Sequence, residues 1–139
     1  MEPFKLEFVI DGDDFHSAGE ASSATKRALK KLGIPAETIR RVSICMYEGE
    51  INMVIHANGG NVYVEVDEKA ITITLADKGP GIPDVDAALR EGFSTATNEI
   101  REMGFGAGMG IPNMRKYCDE LDIQTELGVG TTVTMKINL

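Results

Sequence analysis

The chain has 139 residues, 42% hydrophobic and 26% charged, which suits one domain spanning 1–139 with its own core and makes a second domain improbable. Fourteen Lys and Arg against 22 Asp and Glu give a net charge of −8, which disfavours general binding to nucleic acid or to anionic lipid. No apolar run approaches the ~20 residues of a membrane span, and the acidic N-terminus lacks a basic-then-apolar leader, so no membrane contact is expected and a cytoplasmic location is.

In chain order, residues 4–10 alternate as a strand and run into the turn-forming Asp11-Gly12-Asp13-Asp14. Good helix formers fill 18–32, Gly33 is a helix stop, and Pro35 opens a second helix that reaches about His56. Asn58-Gly59-Gly60-Asn61 breaks the chain. Val62, Val64 and Val66, then Ile71, Ile73 and Leu75, alternate on either side of Asp67-Glu68-Lys69, as in a hairpin with one buried face. A short helix is predicted over 84–91, a glycine-bearing loop over 92–108 and a helix over 109–120. Residues 121–127 and 131–137 close the chain as a hairpin around Gly128-Val129-Gly130. Strands in antiparallel pairs with helices on one side define an α+β, two-layer α/β sandwich.

Four local patterns point to chemistry. Glu48 and Asn52 are four residues apart on the second helix and share a face with Ile44, Ile51 and Ile55. Either the helix is rotated so that both polar groups reach solvent, or they line a cavity that holds water, a metal or a ligand, because an unpartnered buried carboxylate is costly. Asp77 ends a strand and is followed by Gly79 and Gly81, which let backbone approach a ligand closely; plain turn chemistry explains the same residues. Gly104, Gly106, Gly108 and Gly110, with Met109, precede a helix whose N-terminal N–H groups suit phosphate. Their spacing fits neither a Walker loop nor a Rossmann turn. Finally, Gly130-Thr131 opens the last strand.

Taken in order, these patterns resemble the Bergerat ATP-binding fold shared by gyrases and histidine kinases. Within it, the strings DKGPGIPD, EGFST, GFGAGMGIPNMRKYCDE and GTTVTMKI are similar to the bacterial anti-sigma-factor serine/threonine kinases, above all the stressosome switch kinases, over about residues 17–137. The resemblance implies a histidine-kinase-like ATPase fold with a mostly antiparallel mixed sheet, and ATP and Mg²⁺ as cofactors. It implies that Asn52 coordinates Mg²⁺ and that Glu48 is the general base. It implies that Asp77 accepts from the adenine amino group with Thr131 assisting through water, and that Gly79 and Gly81 lie against the purine. Gly106, Gly108, Met109 and Gly110 would belong to the phosphate-side lid at about 92–108. The chain departs from the switch kinases in that lid, where residues 96–103 are longer and more charged than a serine-glycine link. Gly106 stands where sporulation-type members carry an arginine, a place Arg101 would have to fill.

The remaining polar residues read more plainly. Cys45 and Cys118, far apart in sequence and without metal-ligand spacing, read as buried free thiols. Glu50, two residues from Glu48, is expected to face solvent. Lys26, Arg27, Lys30, Lys31, Arg40 and Arg41 oppose only Glu37 within 26–41, which makes either a docking surface for an acidic protein or two solvated helix faces. The implied activity is phosphorylation of a STAS-type antagonist in a partner-switching pathway. The alternatives are an ATP-binding regulator that sequesters a sigma factor or activates a phosphatase without catalysis, and a detached histidine-kinase catalytic domain. The last is disfavoured by the lack of a preceding His-bearing helix. The resemblance also allows a homodimer.

Overall fold

The structure is a computed structural model and describes residues 4–11, 19–56, 59–79 and 110–139. The helix expected over 84–91 and the loop over 92–108, with Gly81, Gly106, Gly108, Met109, Arg101 and His16, lie outside the described residues.

Strand β1 (Phe4–Asp11) is followed by helices α1 (Glu20–Lys31) and α2 (Ala36–His56), then by strands β2 (Gly59–Val66) and β3 (Ala70–Asp77). Helix α3 (Gly110–Tyr117) and strands β4 (Glu120–Glu126) and β5 (Gly130–Asn138) complete the chain. The strands lie in the order β1-β2-β3-β5-β4, and all four pairings are antiparallel, so no parallel pair occurs among the described residues. Alternation sets the register. Val62, Val64 and Val66 stand opposite Leu75, Ile73 and Ile71, and Ile73 and Ile71 stand opposite Met135 and Ile137. These side chains are buried on one face, whereas Lys5, Glu7, Tyr63, Glu65 and Lys136 on the other are exposed. The helices cover the apolar face in the α+β two-layer arrangement. No described helix is long and apolar enough to cross a membrane.

Helix α2 is the element on which the other helices rest. Ile39, Val42, Met46 and Met53 recur every three or four residues and are buried against the sheet. Gly49 lies in the same stripe, where a Cβ would come within 2.5 Å of Leu75 Cδ2, so its missing side chain lets the helix sit close to β3. Helix α3 ends at Tyr117, three residues before the expected stop. Sheet pairing takes over there: Asp119 N–H donates to the Lys136 carbonyl at 2.8 Å, and Glu120 pairs with Lys136. Pro112 is tolerated because it falls in the first turn, where no intrahelical N–H is required.

Glu50 does not face solvent. It is 1% exposed and falls in the core stripe of α2, between Met46 and Met53. Its carboxylate accepts from the backbone N–H groups of Gly19 at 2.8 Å, Ser22 at 2.6 Å and Ala21 at 3.4 Å. Helix α1 starts at Gly19 in the left-handed conformation with no side-chain cap of its own, so Glu50 supplies from α2 the acceptors that the first turn of α1 lacks. A separation of two residues places Glu50 off the face of Glu48, but the face it occupies is the inner one. Burial pushes the Glu50 carboxyl above its ordinary value of 4.5, opposed by the three N–H donors.

Two stability measurements test this cap. Glu50→Ala leaves buried donors unmatched and should cost about 1–3 kcal/mol. A carboxyl raised in the folded state holds its proton more tightly there. Its contribution is therefore fully present below the unfolded value and declines as pH rises toward the folded one. Urea unfolding should show the stability of the wild type relative to Glu50→Gln falling as pH rises above 4.5. A difference that stays constant from about pH 4 to about pH 7 would contradict the buried-acid assignment.

Candidate functional site

The expected site residues that are described fall into two groups. The first surrounds Asp77. Its Oδ1 accepts from Gly79 N–H at 2.9 Å, within its own turn, and from Thr131 N–H at 2.9 Å across the sheet. Its Oδ2 has no hydrogen-bond partner among the described residues. Thr131 is 5% exposed, and its hydroxyl is 2.9 Å from that of Thr125. Thr131 thus reaches Asp77 through its main chain, while its side chain engages β4.

Gly130 makes this approach feasible. It adopts φ +152°, and a Cβ there would collide with the Asp77 carbonyl oxygen and come within 3.2 Å of Lys78 Cα. Gly60, at φ +150°, plays the same part on the other side: a Cβ would lie 2.8 Å from both Asp77 Cα and Met53 Cε and would strike the Ala76 carbonyl. Because Met53 follows Asn52, the last turns of α2 converge on the strand end that carries Asp77.

The second group lies along α2. Arg41, Cys45, Glu48 and Asn52 form a row at the border of the core stripe, and α3 runs antiparallel beside it. Arg41 Nε donates to the Tyr117 carbonyl at 2.9 Å, Cys45 Sγ–H to the Met114 carbonyl at 3.8 Å, and Asn113 Nδ2 to Glu48 Oε1 at 3.1 Å. Glu48 and Asn52 are both half-buried. Asn52 is one turn beyond Glu48, toward the end of the seam at which α3 begins with Gly110. Ile51 is buried and Ile44 half-buried, so the two polar residues neither stand fully in solvent nor lie in the middle of the core.

Asn113 was not singled out by sequence, since nothing in a Pro-Asn-Met stretch signals a contact with a residue on another helix. The basic run divides: Lys26, Arg27, Lys30 and Lys31 are exposed, Arg40 pairs with Glu37 at 3.3 Å, and Arg41 is held by Tyr117 and Asp119.

Asp77 at the end of β3, and Glu48 with Asn52 on α2, thus lie half-buried at the border of the core. The sequence model of the histidine kinase-like ATPase domain matches residues 14–137. The chain is 28% identical over 112 residues to the serine/threonine-protein kinase RsbT of Bacillus subtilis (strain 168), covering 78% of each chain. It is 33% identical over 104 residues to an anti-sigma F factor of Caldanaerobacter subterraneus subsp. tengcongensis, covering 71% of this chain and 69% of the relative. In fold it is similar to the solved RsbU and RsbW domains of Rv1364c from Mycobacterium tuberculosis, with a TM-score of 0.61 at 14% identity over 96% of this chain and 32% of that one. The chain belongs to the histidine kinase-like ATPase family, on the branch of the anti-sigma-factor kinases.

Gly130→Ala tests the cradle of Asp77. The strained φ and the backbone collision should cost about 1–3 kcal/mol of stability, read as a lower Tm. A wild-type Tm would show that Gly130 is not needed to bring Thr131 onto Asp77.

Proposed function

We propose that this protein is a Mg²⁺-ATP-dependent serine/threonine kinase that phosphorylates a STAS-type antagonist in a partner-switching pathway. The observation that carries this reading is the state of Glu48. One oxygen is fixed by Asn113, the other has no partner among the described residues, and Asn52 follows one turn later. An ATP regulator without chemistry needs no such arrangement.

Adenine is assigned to the Asp77 end. With Oδ1 committed to two backbone donors, Oδ2 is left to accept from the exocyclic amino group. The phosphates are assigned to the N-terminus of α3, whose helix dipole favours anions without a basic side chain. Asn52 offers an amide oxygen, a hard donor that would suit Mg²⁺ in company with phosphate oxygens. Bound there, Mg²⁺ supplies charge neutralisation to the terminal phosphates.

Glu48 orients the incoming serine or threonine hydroxyl and takes its proton at the unpartnered oxygen. The hydroxyl oxygen bonds to the γ-phosphorus as the bond to the β,γ-bridging oxygen breaks, and ADP leaves. Asn113 keeps the carboxylate in one rotamer, which matters because transfer depends on position more than on covalent chemistry. The named relatives include both a serine/threonine kinase and anti-sigma F factors, which supports partner exchange as the setting and a sigma factor as a second binding partner.

Two variants separate binding from transfer. Glu48→Gln should retain ATP affinity, measured by calorimetry, while transfer of labelled phosphate to a STAS-domain protein falls by about 10² or more. Unchanged transfer removes Glu48 from the chemistry. Asp77→Asn keeps a carbonyl oxygen for Gly79 and Thr131 but opposes an amide NH2 to the adenine amino group. ATP affinity should therefore drop by about tenfold or more with little change in Tm. Undiminished affinity would sink the adenine assignment. Tight ATP binding by the wild type with no phosphoserine or phosphothreonine formed would favour the non-catalytic regulator.

A further inference from the structure

The two cysteines, 73 positions apart in sequence, meet at the lower end of the α2–α3 seam. The Met114 carbonyl accepts from both: Cys45 Sγ–H at 3.8 Å and Cys118 N–H at 3.1 Å. One turn before Cys45, Arg41 grips the residues on either side of Cys118. Its Nε bonds the Tyr117 carbonyl at 2.9 Å, and a terminal nitrogen lies 3.1 Å from the Asp119 carboxylate. Cys118 is thereby fixed in main chain and flanks against the face of α2 from which Cys45 projects, and each thiol is the largest single influence on the titration of the other. Cys45 is fully buried; Cys118 is 9% exposed and is the outer member.

The environments differ in the way a reactive and a resolving thiol should. The neighbouring Cys45 thiol holds the Cys118 thiol below its ordinary value, against burial and with help from the Arg41 guanidinium. The proximity of Cys118, with burial, pushes Cys45 upward. Neither thiol has a part in the ATP chemistry proposed above.

We propose that Cys45 and Cys118 form an oxidation-sensitive dithiol, which a peroxide closes into an intramolecular disulfide between α2 and the residue after α3. The Cys118 thiolate attacks a peroxide oxygen and the O–O bond breaks. This leaves a sulfenic acid on Cys118 and a hydroxide that leaves as water with the thiol proton. Cys45 sulfur then attacks the Cys118 sulfur, its proton departs with the displaced hydroxide as a second water, and the S–S bond forms. Two thiols and one hydrogen peroxide give one disulfide and two waters; a dithiol reductant reverses it. The bond joins α3 to α2 one turn before Glu48, on the row that also carries Asn52.

The test uses the full chain, reduced, freed of reductant, treated with hydrogen peroxide, quenched under denaturing conditions and mapped by peptide mass. Both thiols should disappear together into one intrachain Cys45–Cys118 disulfide that dithiothreitol restores. The oxidised form should melt at higher temperature than the reduced form, because the crosslink closes a long loop. In Cys45→Ser, Cys118 should accumulate as a sulfenic acid trapped by dimedone, and no disulfide should appear. Three results in the wild type would each overturn the proposal: Cys118 reaching the sulfinic state while Cys45 stays free, disulfides between chains, or both thiols surviving excess peroxide. The wild-type measurement decides the matter even where a Ser variant folds poorly.

Discussion

The antiparallel seam between α2 and α3 is the constraint on which the site depends. Helix α3 has eight residues, well short of the ~12–15 an isolated helix needs to persist in water. Its place is set by the partners that α2 offers: Arg41 to its last carbonyl, Cys45 to the carbonyl of Met114, Glu48 to the side chain of Asn113. Met114 adds apolar anchorage, being 1% exposed within the core cluster. The row that carries Glu48 and Asn52 is therefore the row that holds α3 in place. A shift of α3 along α2 would break these three contacts together.

In a chain of net charge −8, four carboxylates serve as acceptors for main-chain N–H groups. Glu50 caps α1, Asp67 takes the N–H groups of Lys69 and Ala70 in the β2–β3 turn, and Asp119 takes that of Asn138. Asp77 joins two loops in the same manner. The consequences for titration have opposite signs. The N–H donors beside Asp67 and Asp119 hold both carboxyls below their ordinary value, so what these residues contribute is lost as pH falls; burial lifts Glu50. Acidity here serves turn and helix-end closure before it serves any partner, which is why net charge alone says little about function.

The strands were legible because one face of the sheet is buried and the other is not. The alternation at 62, 64, 66 and at 71, 73, 75 fixes both identity and register, and the structure pairs those residues directly. The two long helices were legible through Gly33 and Pro35. What stayed hidden depends on contacts remote in sequence. Periodicity shows that Glu48 and Glu50 lie on different faces of α2, but not which of those faces meets the sheet. That is decided by the uncapped start of α1, 28 to 31 residues away. Spacing likewise shows no link between Cys45 and Cys118, or between Glu48 and Asn113, because α3 reaches α2 only through the tertiary fold. The end of α3 was misjudged for a related reason: Asp119 and Glu120 are helix-compatible, yet pairing with Lys136 outweighs one more turn.

The carboxylates of α2 and β3 differ in a way that separates structural from functional roles. Glu50, 1% exposed, has both oxygens engaged by N–H donors, as a buried acid must. Glu48 and Asp77 are half-buried, and each commits one oxygen to the protein and leaves the other without a partner among the described residues. Partial exposure makes that tolerable, since water can satisfy the second oxygen. It also sets the chemistry. A donor on a ligand that displaces this water meets an acceptor whose rotamer is already fixed through its other oxygen, so the charge-assisted bond forms without reorganising the side chain. Glu48 is held by α3, and Asp77 by β5 and its own turn. A molecule that engages both would tie the α2–α3 seam to the strand end on which Asp77 sits.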